Sequence, residues 1–477
     1  MRGAVWLARA GMCIYPRKAN YIADRKAGMS NFTLMSKIDQ KILRLAIPNI
    51  ISNITVPLLG MVDLALLGHL DDPVFLGAMA LGSIIFNFLY WSFGFLRMGT
   101  TGLVAQAYGR NDRSEMRSLL FRALAVGVGV GLLCILFQWP IGKLGFYLVE
   151  GSATLKAEAW RYFMVRIWAA PATIGLYALM GWTIGLQNAK LPMAITLLIN
   201  VCNVLLSAFF IYQLNMDVEG AALGTLMAQY LGFFVLGGVI LYKYPWVLKE
   251  VNRSLIFNLK GMTAFFLVNR DIFIRTICLL LVFNFFTSAS AGISEEVLAV
   301  NTLLMQFLMF FSYLIDGFAY AAEAIVGEYV GAKDQWALRK LVKRLFHWGL
   351  LLAALFSLSY WFGGELILSL LTNQEHIIRH ALQYLPWVAL IPLISFPSYL
   401  WDGIYIGATA SKWMRNTMFL STFLVFFPFY LVVCRWDEQM ALWGGMLLFL
   451  ISRGLFQWLF LGKAIPVLKR NNATLAA

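Results

Sequence analysis

The chain has 477 residues, of which 60% are hydrophobic and 13% charged, with a mean hydropathy of +0.73; a soluble globular chain carries about 25% charged residues. That surplus excludes a single soluble core, and the recurrence of apolar runs of roughly 20 residues without two-residue alternation favours membrane helices over a β-barrel. The formal charge of +14 does not signal nucleic acid, because the basic residues fall in loops between apolar segments, as they do in cytoplasmic loops.

Residues 1–37 form a basic N-terminal tail interrupted by Pro16. It has neither a long apolar core nor a small-residue cleavage site, so it is not read as a signal peptide. It reads either as an upstream extension, with Met29 and Met35 close before the first helix, or as a disordered cytoplasmic tail. Apolar runs then predict helices over 42–68, 74–98, 118–139, 160–187, 190–213 and 219–243, an N-lobe spanning 38–243. A polar connection over 244–270, with Lys249, Arg253, Lys260 and Arg270, reads as a cytoplasmic linker. Six more helices are predicted over 271–291, 296–322, 341–361, 380–408, 413–434 and 438–462. They make a C-lobe spanning 271–464, ahead of a cytoplasmic tail at 465–477.

Basic residues cluster on one side of this layout: Arg110, Arg113, Arg117, Lys190, the linker, Lys333 to Arg344, Lys412 and Arg415. The opposite side holds little beyond Lys143, Lys156, Arg379 and Arg435. The positive side is expected to face the cytoplasm, with both termini. The halves also match at a constant offset of 222 residues, pairing Val104 with Val326, Gly109 with Gly331, Asp112 with Asp334, Arg122 with Arg344, Gly185 with Gly407 and Lys190 with Lys412. Six helices return the chain to its starting side, so the repeats are parallel. The expected fold class is therefore an all-α integral membrane protein, with twelve transmembrane helices in two six-helix lobes related by a pseudo-twofold axis along the membrane normal. A substrate site is expected near the midplane, in the cleft or inside a lobe. Of five cysteines, Cys134, Cys202 and Cys278 lie inside apolar stretches, which implies no disulfide framework.

Ionisable residues deep in an apolar helix cost several kcal/mol and are functional candidates by default. The clearest is Asp63, about a turn from the far end of the first helix. Desolvation there penalises the charged form and makes proton uptake and release feasible near neutral pH. Pro48 and Pro57 precede it in the same helix, each removing a backbone donor, and supply either a switchable or a static bend. Asn200, Asn203 and Ser207 follow helical spacing in the fifth helix, and could bond Asp63 or offer oxygens to a cation. Tyr162, Arg166, Gln187 and Thr225 complete a polar N-lobe lining, unless they serve as glue between helices. The second half carries Arg275, Asp316, Glu323 and Asp402. Asp316 and Glu323 are seven apart, share a face and could flank Arg275, in a transport role or a structural ion pair. Arg270 and Asp271 are placed at the membrane surface. His376 and His380 beside Glu375 fall in a predicted outer loop and are not taken as a metal site. No GxxxxGK[ST] run is present to hold ATP phosphates.

The strings SNITVPLLGMVD (Ser52 to Asp63), FLRMGTTGLVAQAYGRND (Phe95 to Asp112), GWTIGLQNAKLP (Gly181 to Pro192), NRDIFIRT (Asn269 to Thr276), DGFAYAAEAIVGEYVGAKD (Asp316 to Asp334) and WDGIYIGATASKWMRN (Trp401 to Asn416) resemble the MATE (multidrug and toxic compound extrusion) family. More narrowly, they are similar to its DinF-type branch, over residues 38–462. The resemblance implies two six-helix lobes forming a V, and efflux of varied, often cationic compounds against inward H+ or Na+. It implies ion coupling at Asp63, bending at Pro48, and cavity roles for Tyr162, Asn203 and Thr225. Relatives usually carry Asp four residues after the fifth-helix Asn, where this chain has Ser207. A simpler, single-carboxylate proton site is therefore expected.

The sequence thus reads as a secondary-active multidrug antiporter of the cytoplasmic membrane rather than an enzyme. It is expected to work as a monomer in the bilayer, on small-molecule substrates, with no nucleic acid, cofactor or metal, and with H+ as the coupling ion. The alternatives are Na+ coupling and a lipid-linked oligosaccharide flippase, which would need a cationic cavity such as Arg97, Arg166 and Arg275 could offer.

Overall fold

The computed structural model describes residues 36–68, 73–249 and 258–468, without the side chains of residues 63, 64, 68 and 73. The predicted tail up to residue 35, Arg253 of the linker, the C-terminal tail from 469 and the side chain of Asp63 lie outside the described residues. Among the described residues, twelve helices are long and apolar enough to cross a membrane. In the first half they are α1 (Lys37–Leu67), α2 (Val74–Gly109), α3 (Arg113–Leu136), α4 (Ala153–Gly185), α5 (Lys190–Gln213) and α6 (Asp217–Lys243). In the second they are α7 (Leu259–Ile293), α8 (Glu295–Gly331), α9 (Gln335–Leu371), α10 (Glu375–Gly407), α11 (Ser411–Val433) and α12 (Glu438–Ala464). A shorter helix, Gln138–Leu148, follows α3.

The helices outrun the apolar windows that announce them. The seventh begins at Leu259, inside the stretch assigned to the linker, so the polar residues Lys260 and Arg270 are helical. His376 and His380 lie in the first turns of α10 rather than in a loop, and His380 Nδ1 sits 3.0 Å from Glu296 Oε1. Hydropathy marks only the part of a helix that meets lipid, while capping sets its ends.

The repeat seen in the sequence recurs in the backbone. Asp112 caps α3 by accepting from Glu115 N at 3.0 Å, and Asp334 caps α9 by accepting from Ala337 N at 3.0 Å. The residues before them, Asn111 and Lys333, both take positive φ, 56° and 57°. Gln187 and Thr409, also 222 apart, do the same at 63° and 52°. An N-lobe core gathers around Phe86, Phe163 and Trp182 and a C-lobe core around Phe286, Phe307 and Trp443. A third core joins the lobes, and includes Ile42, Leu45 and Ala46 of α1 with Phe318, Ile325 and Ile404.

That joining core lies at the end carrying the basic loops. There α2 crosses α8 so closely that a Cβ on Gly109 would collide with the Glu328 carbonyl, and one on Gly331 with the Gln106 carbonyl. The two collisions are equivalents under the 222-residue repeat, so the crossing is itself pseudo-twofold. Small residues allow this backbone approach in the absence of a hydrophobic drive between membrane helices. Straps flank the crossing. Asp39 at the start of α1 accepts from Trp348 Nε1 at 3.1 Å and lies 3.9 Å from Arg344 of α9. Arg122 of α3, the repeat equivalent of Arg344, packs against Gly261 at the start of α7.

Candidate functional site

Continuous helix carries α1 through Pro48 and Pro57, so neither proline breaks it. Ser52 Oγ donates to the Pro48 carbonyl at 3.0 Å, and Asn49 Nδ2 donates to the Leu45 carbonyl at 2.8 Å. These side chains bond carbonyls in the turns around the first proline. The backbone of Asp63 lies in the last turns of α1, where the sequence places it.

Against α1 packs α5. Asn200 Nδ2 donates to the Thr55 carbonyl at 3.3 Å, tying the two helices midway. Asn203 and Ser207 turn instead toward α6: Asn203 Nδ2 donates to Thr225 Oγ1 at 2.9 Å, which donates to the Ala221 carbonyl at 3.0 Å. Ser207 Oγ is buried against Gly224, with no hydrogen-bond partner among the described residues. The expected single polar face of α5 is therefore divided between two neighbours. The helix widens by i→i+5 bonding over Phe209–Gln213, directly after Ser207.

Tyr162 and Arg166 form a second N-lobe cluster. The Arg166 guanidinium donates to the Tyr162 hydroxyl and, at 3.3 Å, to Ser83 Oγ, and lies 4.8 Å from the Phe86 ring centroid. A three-residue 3-10 turn, Ile167–Ala169, interrupts α4 just after Arg166, ahead of Pro171. Gln187 departs from the sequence reading: it belongs not to this lining but to the joined end, where its Nε2 donates to the Ala324 carbonyl of α8 at 2.7 Å. From the other lobe's side, Thr409, the repeat equivalent of Gln187, accepts from Gln106 Nε2, which also donates to the Gly407 carbonyl, both at 3.0 Å. The left-handed turn after α4 aims Gln187 across the seam, a geometry that spacing alone does not reveal.

The C-lobe set is also rearranged. Arg275 does not sit between Asp316 and Glu323. It pairs with Asp402 of α10, which also accepts from Arg453 at 2.9 Å and from Gln457 at 2.5 Å, both on α12. Glu323 faces the other lobe, 3.4 Å from Arg97 of α2, whose guanidinium stacks 3.7 Å from the Tyr320 centroid. Arg97 is presented by a break in α2 at Gly94, between Pro73–Phe93 and Phe95–Gly109. Asp316 remains half-buried, within the fields of Arg275, Arg97 and Arg453 but without a hydrogen bond or ion pair among the described residues. Asp271 is buried against the first turns of α11, where it accepts from Arg415 at 2.7 Å and from Ser411 at 3.2 Å. Arg453 and Gln457 escaped the sequence reading, although an arginine inside a predicted membrane helix carries the same signal as Arg275.

Among the described residues Arg166 bonds Tyr162 and Ser83, apart from Arg97 and Arg275, which pair with Glu323 and Asp402 and both act on Asp316. The three carboxylates Asp316, Glu323 and Asp402 meet Arg97, Arg275 and Arg453, equal in number and opposite in charge.

The MatE family model matches the chain twice, over residues 48–209 and 272–432. The chain belongs to the MatE family. This is a family of membrane transporters, and its model falls once in each half of this multi-pass chain, over α1–α5 and over α7–α11. Over 426 residues, covering 88% of the chain and 91% of the relative, it is 36% identical to DNA damage-inducible protein F of Escherichia coli (strain K12). It is 22% identical over 450 residues to a probable multidrug resistance protein NorM of Thermotoga maritima, covering 89% and 92%. The fold is similar to a MATE crystal structure in the bent conformation, with a TM-score of 0.83, 17% identity and coverage of 91% and 97%. It is also similar to an outward-facing MATE multidrug resistance transporter, with a TM-score of 0.76, 19% identity and coverage of 92% and 98%.

Proposed function

We propose that the chain exports varied small molecules, often cationic or amphipathic, in exchange for H+ by alternating access of its two lobes. The observation that carries this reading is the seam. Most interlobe bonds among the described residues gather at the end bearing the basic loops, with Asn53 Nδ2 donating to the Tyr313 carbonyl at 3.0 Å midway along α1. Basic loops belong on the cytoplasmic side. This arrangement then opens outward, with both termini in the cytoplasm of a bacterial inner membrane. Asp63 is the coupling group, at the open end of α1, and binding of its proton competes with binding of a cationic substrate.

With Ser207 in place of a second carboxylate, one proton enters as each monovalent cation leaves, and no net charge moves. The pH gradient alone then drives such exchange, although each elementary charge that did cross would gain about 2.3 kcal/mol per 100 mV. Everted membrane vesicles test the reading with a cationic dye. Expected is dye uptake driven by an acid-inside pH gradient, lost in Asp63→Asn and unaffected by sodium. Uptake driven by a sodium gradient at zero pH gradient would replace the coupling ion, and uptake driven by membrane potential alone would overturn one-for-one exchange. No flux under any gradient would overturn export itself.

A further inference from the structure

Beside the seam lies a cavity of about 930 Å3 whose lining, among the described residues, holds five cations, Lys37, Lys41, Arg44, Lys190 and Lys243, and no carboxylate. It is built from the start of α1, the α4–α5 turn and the end of α6, so its charges converge from elements far apart in sequence. Lys41 is already paired with Glu328 of α8, but like charges brought together by Arg44, Lys190 and Lys243 repel one another unless an anion offsets them. Arg44, Lys190 and Lys243 are exposed and have no ion pair among the described residues. Asn188 and Tyr108 add neutral polar groups to the wall. Basic pockets between membrane helices on the cytoplasmic side suit the head groups of anionic lipids.

Two members of the wall also hold the other lobe. Lys41 Nζ lies 2.6 Å from Glu328 of α8, and Gln187 donates to the Ala324 carbonyl of α8. Opening the seam would pull both away and change the wall, so an anion that prefers the intact cavity favours the joined conformer by mass action. We propose that this cavity binds a phosphate-bearing anion, and that its occupancy holds the two lobes together at the basic end. The transport chemistry assigned above is not required for this, since the site shares no residue with the proton or substrate groups except the seam residue Gln187.

The purified full-length protein in a neutral detergent tests it with two probes, short-chain phosphatidylglycerol and inorganic phosphate, and phosphatidylcholine as the uncharged control. Expected is at least tenfold tighter binding of phosphatidylglycerol than of phosphatidylcholine, lost in the triple variant Arg44→Gln, Lys190→Gln, Lys243→Gln. The charge-keeping triple Arg44→Lys, Lys190→Arg, Lys243→Arg should retain it, which separates loss of charge from misfolding. Displacement by millimolar inorganic phosphate would assign the site to soluble phosphate compounds, and failure to displace would assign it to a lipid headgroup; either supports a phosphate site. A glutamine triple that keeps the preference, or a wild type without one for either probe, overturns it. The link to the seam is read from thiol labelling of Ala324→Cys in a background with the native cysteines replaced by serine. Labelling should slow at least fivefold when the probe is bound, and an unchanged rate overturns the coupling.

Discussion

Asp402 answers two buried guanidiniums with a single carboxylate. Removing one partner of a buried ion pair typically destabilises by about 3–5 kcal/mol, because the other charge is left uncompensated. Asp402→Asn is therefore expected to lower the thermal unfolding midpoint in detergent strongly, whereas a variant within a degree of wild type would contradict the pairing. The bond between Asn203 and Thr225 is a weaker tie. Interhelical side-chain bonds in membranes average about 0.6 kcal/mol, so Thr225→Val should barely change stability, and any larger loss of transport it causes reports a role in the cavity. At this scale the sequence marked charges inside apolar runs better than it showed whom they touch. Arg275 and Asp402 stand out as charges in apolar runs, but they are 127 residues apart, and nothing in the local pattern names the partner. Asp316, seven residues from Glu323, looks like its neighbour's companion, yet a helix crossing turns Glu323 to the opposite lobe.

Element existence was legible because each membrane helix must carry its own lipid-facing apolar run. Element ends were not. The helices α8 and α9 are 37 residues each, well beyond their apolar windows. Their polar turns stay helical through packing at the seam and through the caps of Ser294 and Asp334, which accept from Val297 N and Ala337 N. The glycines of the α2–α8 crossing were visible as matched pairs, but their purpose required the collision geometry. Gly109→Leu and Gly331→Leu should each prise the seam apart and shift the population toward the basic-end-open state, measured as faster labelling of a cysteine placed at Ala105. Since the two sites are pseudo-equivalent, their effects should be alike within about twofold; a response to one alone would contradict the symmetric crossing.

Across the whole molecule, the lobes are held at one end by matched devices: Gln106 and Gln187 across the glycine crossing, Arg97 on Glu323, Lys41 on Glu328, and the Asp39 and Arg122 straps. Neutralising the Arg97–Glu323 pair by Glu323→Gln is expected to favour separation at the basic end, and Arg97→Gln combined with it should recover part of the shift, because the buried cation is removed too. The two-lobe plan was readable from the constant 222-residue offset, while the state of the cleft was not, since both facing states use the same sequence. The account as a whole requires the two ends to move in opposition under the control of Asp63. Spin-label distances measured between Lys190→Cys and Lys412→Cys at the basic end, and between Leu148→Cys and Leu370→Cys at the other, test this across pH 5 to 8. The prediction is that one distance lengthens as the other shortens, and that Asp63→Asn abolishes the response; distances that change together, or that keep their pH dependence in the variant, would contradict it.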